Sequence, residues 1–223
     1  MKQQVLKGMS GHGGVRKGAG RPLKKDRKGQ PHLARPLIKR TTPIHINWHL
    51  NKKLKSINIR TKDFFKLFRL AVKTARKKGL HIIHYSLMDN HIHLIVEAPT
   101  NKLLSTALQS FALSLSKLVK NRMNGDIKRL WNDRYFMRLL LSPREVKIAL
   151  EYVLKNPHKK FKTLTIFDGY SSILAMGKAL RKKLFPSLNF KESENLRRRF
   201  ETMSEEILRP PKSYLLMKAL EIS

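Results

Sequence analysis

The stretch HIIHYSLMDNHIHLIVEA, residues 81–98, decides the fold that this chain is predicted to adopt. Its two apolar segments are separated only by Asp89 and Asn90, short polar residues that tolerate the backbone of a tight hairpin turn. Alternate residues of an extended strand share a face, so His91 and His93 project together. The stretch therefore predicts an antiparallel hairpin whose second strand carries two neighbouring imidazoles.

Regular patterns on both sides of the hairpin complete a βαββαβ order, which one further helix follows. Period-2 alternation predicts strands at 44–50 and 134–141, and helical spacing predicts helices at 63–78, 102–123 and 143–156. This order is typical of a ferredoxin-like or RRM-like split antiparallel sheet, an α+β fold with helices on one face. The other face is expected to be open and available for a site.

Capping signals set the ends of two helices. Gly79 supplies a stop for the first helix. Ser142-Pro143-Arg144-Glu145 forms a capping box with proline at the first helical position, so the last helix begins there. Because Pro157 disfavours continuation, that helix is expected to end near Asn156.

Composition predicts one core domain with two basic appendages. The chain has 223 residues and 41% hydrophobic content, enough for a well-packed domain. Residues 1–40 hold 12 Lys and Arg against one acidic residue and show little apolar patterning, so they are predicted to form a flexible arm. We place the core domain at 41–160 and a basic, helical extension at 161–223.

The net charge of +33 points to a polyanionic partner, because self-repulsion of this size opposes folding unless it is neutralised. Nucleic acid is the leading partner. No apolar run approaches the roughly 20 residues of a membrane span, and no signal-peptide pattern opens the chain. We therefore expect a cytoplasmic, nucleoid-associated protein without membrane contact. The chain has no cysteine, so nitrogen and oxygen atoms must hold any metal.

The arm contains RKGAGRP at residues 16–22, which looks like an AT-hook core. In such a core a narrow extended backbone lets arginine enter the minor groove of duplex DNA. Arg16, Lys17 and Arg21 are the candidate contacts. A solvated basic tail explains the same composition equally well.

The helix after the capping box carries Tyr152 and Asn156 one turn apart, which places a phenol and a carboxamide on one surface. Two imidazoles on one strand face can hold a metal ion, so His91 and His93 are the candidate ligands. Taken alone, Tyr152 is more simply explained as a core aromatic. Tyr135 is the alternative nucleophile.

Other polar side chains on the predicted strands are more simply explained as structural. This applies to four further histidines: His45, His49, His81 and His84. Glu97 shares the face of the histidine pair, but its strand leaves the sheet by Pro99, so a solvated carboxylate is expected. Among aromatics on the central strands, Tyr85 is the one available to stack on a base.

Three ordered motifs resemble those of the single-tyrosine HUH transposases, specifically the REP-associated tyrosine transposases. The resemblance covers about residues 41–160. The chain departs from the family pattern at Asp89, where proline is usual, and at His158-Lys159, where a Val-Arg pair commonly follows. The motifs are MDNHIHLIV at 88–96, LWNDRYF at 130–136 and EYVLKNP at 151–157.

The resemblance implies an enzyme that cleaves and rejoins hairpin-bearing single-stranded DNA through a 5′-phosphotyrosine intermediate. It implies that His91, His93 and Asn156 bind Mg²⁺ or Mn²⁺ and that Tyr152 is the nucleophile. The protein is expected to be a monomer or a homodimer. Candidate DNA contacts in the core are Arg134 and Arg138.

Two other functions stay open on the sequence. A non-catalytic nucleic-acid binder of RRM-like fold explains the charge and the fold, but neither the histidine pair nor the Tyr-Asn pair. A metal-dependent nuclease that uses water explains the histidines and leaves Tyr152 without a role.

Overall fold

The computed structural model describes residues 34–54, 57–122, 127–161, 168–175 and 206–221. Most of the predicted arm, with Arg16, Lys17 and Arg21, lies outside these ranges. Within them, no helix is both long and apolar enough to cross a membrane.

A four-stranded antiparallel sheet forms the centre of the fold, in the spatial order β2-β3-β1-β4. Helix α1 connects β1 to β2 and passes over β3, and helix α2 connects β3 to β4, which confirms the predicted ferredoxin-like βαββαβ topology. The elements are β1 Thr42–His49, α1 Lys62–Arg76, β2 Ile82–Leu87, β3 His91–Ala98, α2 Asn101–Arg122 and β4 Phe136–Leu139. Strand β4 is shorter than the eight residues predicted at 134–141.

The main core lies between the sheet and helices α1 and α2. Phe68 of α1 and Phe111 of α2 meet edge to face at 5.6 Å, and Phe68 also contacts Tyr85. Tyr85 is buried in this core, so it is not available to stack on a base. Helix α1 ends as predicted before Gly79, whose φ of 86° is the left-handed conformation that glycine adopts without strain.

Two further helices cover part of the opposite sheet face, which the sequence predicted to be open. Helix α3, Pro143–Lys160, and helix α4, Tyr214–Glu221, pack with Ile83 and Ile95 in a second apolar cluster. The side chain of Phe136 on β4 stays exposed on the same face. The uncovered part of this face therefore lies around Phe136 and Arg138 on β4 and around His49 at the end of β1.

Helix α3 begins as predicted and ends later than predicted. The Ser142 hydroxyl accepts from the backbone N–H of Glu145, as in a capping box. The helix then runs through Pro157 to Lys160, so the predicted end near Asn156 is wrong. A proline removes one helical hydrogen bond, but contacts elsewhere can hold the following turn. Here the Lys160 ammonium lies 2.5 Å from the Asp89 carboxylate.

Glu97 is buried, and the prediction of a solvated carboxylate is wrong. Its two carboxylate oxygens accept from the backbone N–H groups of Lys212 at 2.7 Å and Ser213 at 2.8 Å, just before α4. The His81 Nε2 atom lies 3.5 Å from the same carboxylate. These partners are far away in sequence, so no local pattern indicated them. Glu97 thereby holds the start of α4 against β3.

A buried ion pair attaches another C-terminal segment to the sheet. Arg60 Nη2 lies 2.5 Å from Asp168 Oδ1, with side chains 9% and 0% exposed. Arg60 also donates to the carbonyl oxygen of Leu87 at the end of β2. Near it, the Ser172 hydroxyl accepts from the backbone N–H of Tyr85. The segment 168–175 is thus fixed against β2.

We expect Asp168→Ala to lower the free energy of unfolding by about 3 kcal/mol, because the Arg60 guanidinium is left buried without its counter-charge. Chemical denaturation measures the change. The matched control is Asp63→Ala, since Asp63 pairs with Lys66 and both side chains are largely exposed. Ion pairs at the surface contribute little to the free energy of unfolding. Equal, small losses for the two variants would contradict a stabilising role for the buried pair.

Candidate active site

The candidate site lies where β1 and β3 meet helix α3. The strands are paired so that Asn47 faces His93 and His49 faces His91. Because alternate residues share a face, His45 extends the same row of side chains along β1. The pairing therefore gathers polar side chains from both strands on the face that α3 partly covers.

The two predicted histidine ligands face each other. His91 Nε2 and His93 Nε2 lie 3.1 Å apart. His91 Nδ1 is 2.7 Å from the Asn90 side-chain oxygen, which only accepts, so the ring proton sits on Nδ1 and leaves Nε2 as a lone pair. His93 Nδ1 is 3.1 Å from His45 Nε2, and when His93 donates along this contact its Nε2 is a lone pair as well. In that tautomer the two facing lone pairs repel each other unless a cation lies between them.

Asn156 of α3 reaches the same point. Its side-chain nitrogen lies 3.2 Å from His93 Nε2. A half-turn of the carboxamide exchanges this nitrogen for Oδ1, which is a metal ligand. The structure thus brings together three predicted ligands that are separated in sequence: His91, His93 and Asn156.

The chemistry of this donor set fits a divalent cation. Two nitrogen ligands about 2.1 Å from an ion and at a right angle to each other lie about 3.0 Å apart. The two Nε2 atoms are 3.1 Å apart. Burial lowers the pKa of His91 to about 4 and that of His93 to about 2, so both imidazoles are neutral at pH 7, the form that binds metal.

The composition of the set is unusual for a resident metal centre. Within the described ranges, no group of three or more His, Cys, Asp or Glu side chains is placed to hold a metal ion. The set here consists of two imidazoles and one carboxamide. A ligand set with so few protein donors leaves coordination positions for water or for phosphate oxygens of a substrate.

Tyr152 lies beside the ligand set and is accessible. Its side chain is 52% exposed, so the interpretation as a core aromatic is wrong. Its ring centroid lies 5.4 Å from that of His93 and 5.9 Å from that of His45, with both pairs edge to face. The phenol ring is therefore held between two imidazoles at the open edge of the site.

Tyr135, the alternative nucleophile, lies in a different environment. It is 8% exposed and belongs to the main core. The Arg35 guanidinium lies 3.7 Å from its ring centroid and donates to its hydroxyl, and Trp48 contacts it edge to face. These contacts give Tyr135 a packing role.

His45 is one of the site residues that the sequence interpretation missed. It was expected to be structural, yet it contacts both His93 and Tyr152. Burial, and then the positive charge of Arg138, lower its pKa to about 4, so it is neutral at pH 7. Alternation along β1 indicates which face His45 occupies, but the register between β1 and β3 cannot be read from the sequence.

The remaining candidate histidines are divided between the site and its surroundings. The ring of His49 stacks on that of His91 with centroids 4.6 Å apart. His81 lies 2.8 Å from the carbonyl oxygen of Pro210, and His84 is buried against the Ser172 hydroxyl. His81 and His84 therefore keep the structural roles that the sequence predicted.

The predicted DNA contacts of the core are both exposed. Arg134 precedes β4, and Arg138 lies on β4 opposite His45. The Arg138 guanidinium is 3.1 Å from the Glu145 carboxylate. Both arginines are accessible to a polyanion that approaches the uncovered part of this sheet face.

Comparisons with known proteins agree with the motifs. The family described as IS200-like transposase matches residues 39–156. Among solved structures, the chain is similar to a REP-associated tyrosine transposase bound to a REP hairpin, with 16% identity and a TM-score of 0.47, covering 59% of this chain and 74% of that one. A candidate transposase from Deinococcus radiodurans R1 is similar at 12% identity and a TM-score of 0.38, covering 56% and 93%. No curated protein matches the chain.

Proposed function

The chain belongs to the IS200-like transposase family, and on this premise we propose that it cleaves and rejoins single-stranded DNA with Tyr152 as the nucleophile. The observation that carries the proposal is the position of this exposed phenol, 5.4 Å between ring centroids from His93. A nucleophile beside a cation site is an arrangement that supports phosphoryl transfer.

The proposed reaction exchanges one ester for another. The Tyr152 oxygen forms a bond to the scissile phosphorus and loses its proton, and the bond from phosphorus to the 3′ oxygen breaks. The products are a 5′-phosphotyrosine link and a free 3′-OH. Attack by another 3′-OH reverses these steps, so joining needs no external energy source.

We propose that the ligand set formed by His91, His93 and Asn156 holds Mg²⁺ or Mn²⁺. The ion would polarise the scissile phosphate and stabilise its developing charge. The chain's own groups would orient the ligands: Asn90 and His45 are placed to accept the Nδ1 protons of the two histidines. Helix α3 carries both Asn156 and Tyr152, which fixes the distance between ligand and nucleophile.

We propose that the substrate carries a hairpin beside the cleavage site, as the resemblance implies, and that the N-terminal arm contacts duplex DNA through Arg16, Lys17 and Arg21. The charge of +33 supports a nucleic-acid partner. The proposed enzyme acts in the cytoplasm at the nucleoid, as a monomer or a homodimer.

The experiment that tests the proposal is a search for a covalent adduct. The protein is incubated with Mn²⁺ and single-stranded oligonucleotides from the flanks of its own gene that carry a hairpin, and the products are separated under denaturing conditions. A protein band that carries labelled DNA is the expected result. Binding without adduct or cleavage would favour the non-catalytic binder, and cleavage without adduct would favour a nuclease that uses water.

Removal of His45 is expected to weaken metal binding without removing a ligand. Partners that orient metal-bound histidines typically contribute about 10- to 100-fold to affinity. We therefore expect a loss of this size in Mn²⁺ affinity for His45→Ala, and a smaller loss for His45→Gln, whose amide oxygen can still accept a hydrogen bond. Calorimetric titration measures the affinity. His81→Ala is the matched control, and equal affinities for the two alanine variants would contradict the role.

A further inference from the structure

Phe136 is exposed on the uncovered part of the sheet face that α3 and α4 partly cover. Its side chain is 46% exposed, whereas its neighbours Tyr135 and Met137 are each 8% exposed and face the main core. Arg134 and Arg138, two residues before and after it, are exposed as well. An aromatic ring left in water between two cations is the composition of a single-stranded nucleic-acid surface.

The pairing of the strands aligns Phe136 with the ligand set. Phe136 is opposite Asn47 on β1, and Asn47 is opposite His93 on β3, so the three residues form one row across the sheet. Neighbouring strands lie about 4.8 Å apart, which puts the backbone of Phe136 roughly 10 Å from that of His93. A DNA strand with a phosphate at His93 can therefore extend a neighbouring base over Phe136.

The middle residue of this row has an unused hydrogen-bonding group. Among the described residues, the Asn47 side-chain oxygen is buried and has no hydrogen-bond partner. A buried acceptor without a partner is costly, and such groups are commonly completed by a ligand or an ordered water.

We propose that Phe136 stacks on the base of a nucleotide that flanks the scissile phosphate, while Arg134 and Arg138 contact the phosphates on either side. The proposal rests on the proposed function, because it assigns a base-binding subsite to the same site. Stacking uses the π-face that every base has, so this subsite binds bases with little sequence preference.

The test compares two probes of equal length and equal charge: an oligodeoxythymidylate and a strand of abasic nucleotides. Both are titrated by fluorescence anisotropy against the full chain carrying Tyr152→Phe, which retains the ring but cannot form the adduct. We expect the thymidylate to bind more tightly than the abasic strand. Phe136→Ala should weaken thymidylate binding about 10- to 100-fold and leave abasic binding unchanged.

Four further variants separate stacking from charge and from misfolding. Phe136→Trp should retain the preference for the thymidylate, and Phe136→Leu, which keeps an apolar side chain but has no π-face, should lose most of it. Arg138→Gln should weaken both probes equally, since phosphate contacts do not read bases. Leu113→Ala is the matched control, because Leu113 is 65% exposed on α2 on the other side of the sheet.

Three results would overturn the subsite: no preference for the thymidylate over the abasic strand, equal losses on both probes for Phe136→Ala, or full thymidylate affinity in Phe136→Leu. None of them depends on cleavage. If Tyr152→Phe shows the base preference and the unsubstituted chain forms no adduct, the subsite is retained and the proposed function is lost. If the unsubstituted chain forms the adduct and Tyr152→Phe shows no base preference, the function is retained and the subsite is lost.

Discussion

Tyr152→Phe is expected to abolish both cleavage and the covalent adduct, with a loss of rate of at least about 10⁴-fold, as is typical when a nucleophile is removed. The substitution deletes a single oxygen atom from a side chain that is 52% exposed. Folding and DNA binding should therefore be retained. Single-turnover cleavage and labelling of the protein by 3′-end-labelled DNA measure the effect.

The control for this prediction is Tyr135→Phe. It removes the hydroxyl to which Arg35 donates but leaves the ring packed against Trp48, so a modest loss of stability and an unchanged adduct are expected. The reverse pattern, with adduct in Tyr152→Phe and none in Tyr135→Phe, would show that Tyr135 is the nucleophile.

His93→Ala is expected to remove Mn²⁺ binding and to lower cleavage by at least about 10³-fold, because the loss of a ligand removes the stabilisation that the ion gives to the phosphate. His91→Ala should behave in the same way, since its Nε2 lies 3.1 Å from that of His93. Calorimetric titration with Mn²⁺ and a cleavage assay over a range of Mn²⁺ concentrations are the measurements.

His81→Ala is the control for the two ligand variants. His81 contacts Pro210 and Glu97, outside the ligand set. The Mn²⁺ dependence of cleavage by His81→Ala should therefore match that of the unsubstituted chain. Full activity in excess chelator, or normal cleavage by His93→Ala at low Mn²⁺, would exclude a catalytic metal at these residues.

The fold was largely predictable because its signals are local. The hairpin at Asp89 and Asn90, the capping box at Ser142 and the stop at Gly79 each depend on a few adjacent residues, and the structure has all three. The end of α3 was not predictable from Pro157 alone. A contact between Lys160 and Asp89, far apart in the sequence, accompanies the additional turn.

The part of the candidate site that lies within the sequence motifs was predictable. The structure brings His91, His93 and Asn156 together and leaves Tyr152 exposed beside them, as their spacing and the family resemblance indicated. Their roles in binding metal and in attack stay predictions.

The neighbours of the site were missed for a different reason. His45 and Phe136 are set by the register between strands, and register follows from the packing of the whole core rather than from one strand's pattern. Glu97 was assigned to solvent because its partners, Lys212 and Ser213, lie in a segment whose docking position no local pattern specifies.

The contact between Lys160 and Asp89 has a consequence for how many subunits one reaction needs. Burial opposes ionisation of Asp89, but the hydrogen bond and positive charge of Lys160, together with weaker local contacts, outweigh it and lower the pKa of the carboxyl. The bond fastens the end of the tyrosine-bearing helix to the turn that precedes His91. In this arrangement all four proposed chemical groups come from one chain. A dimer that exchanged its α3 helices would have to break the Lys160–Asp89 contact in each subunit.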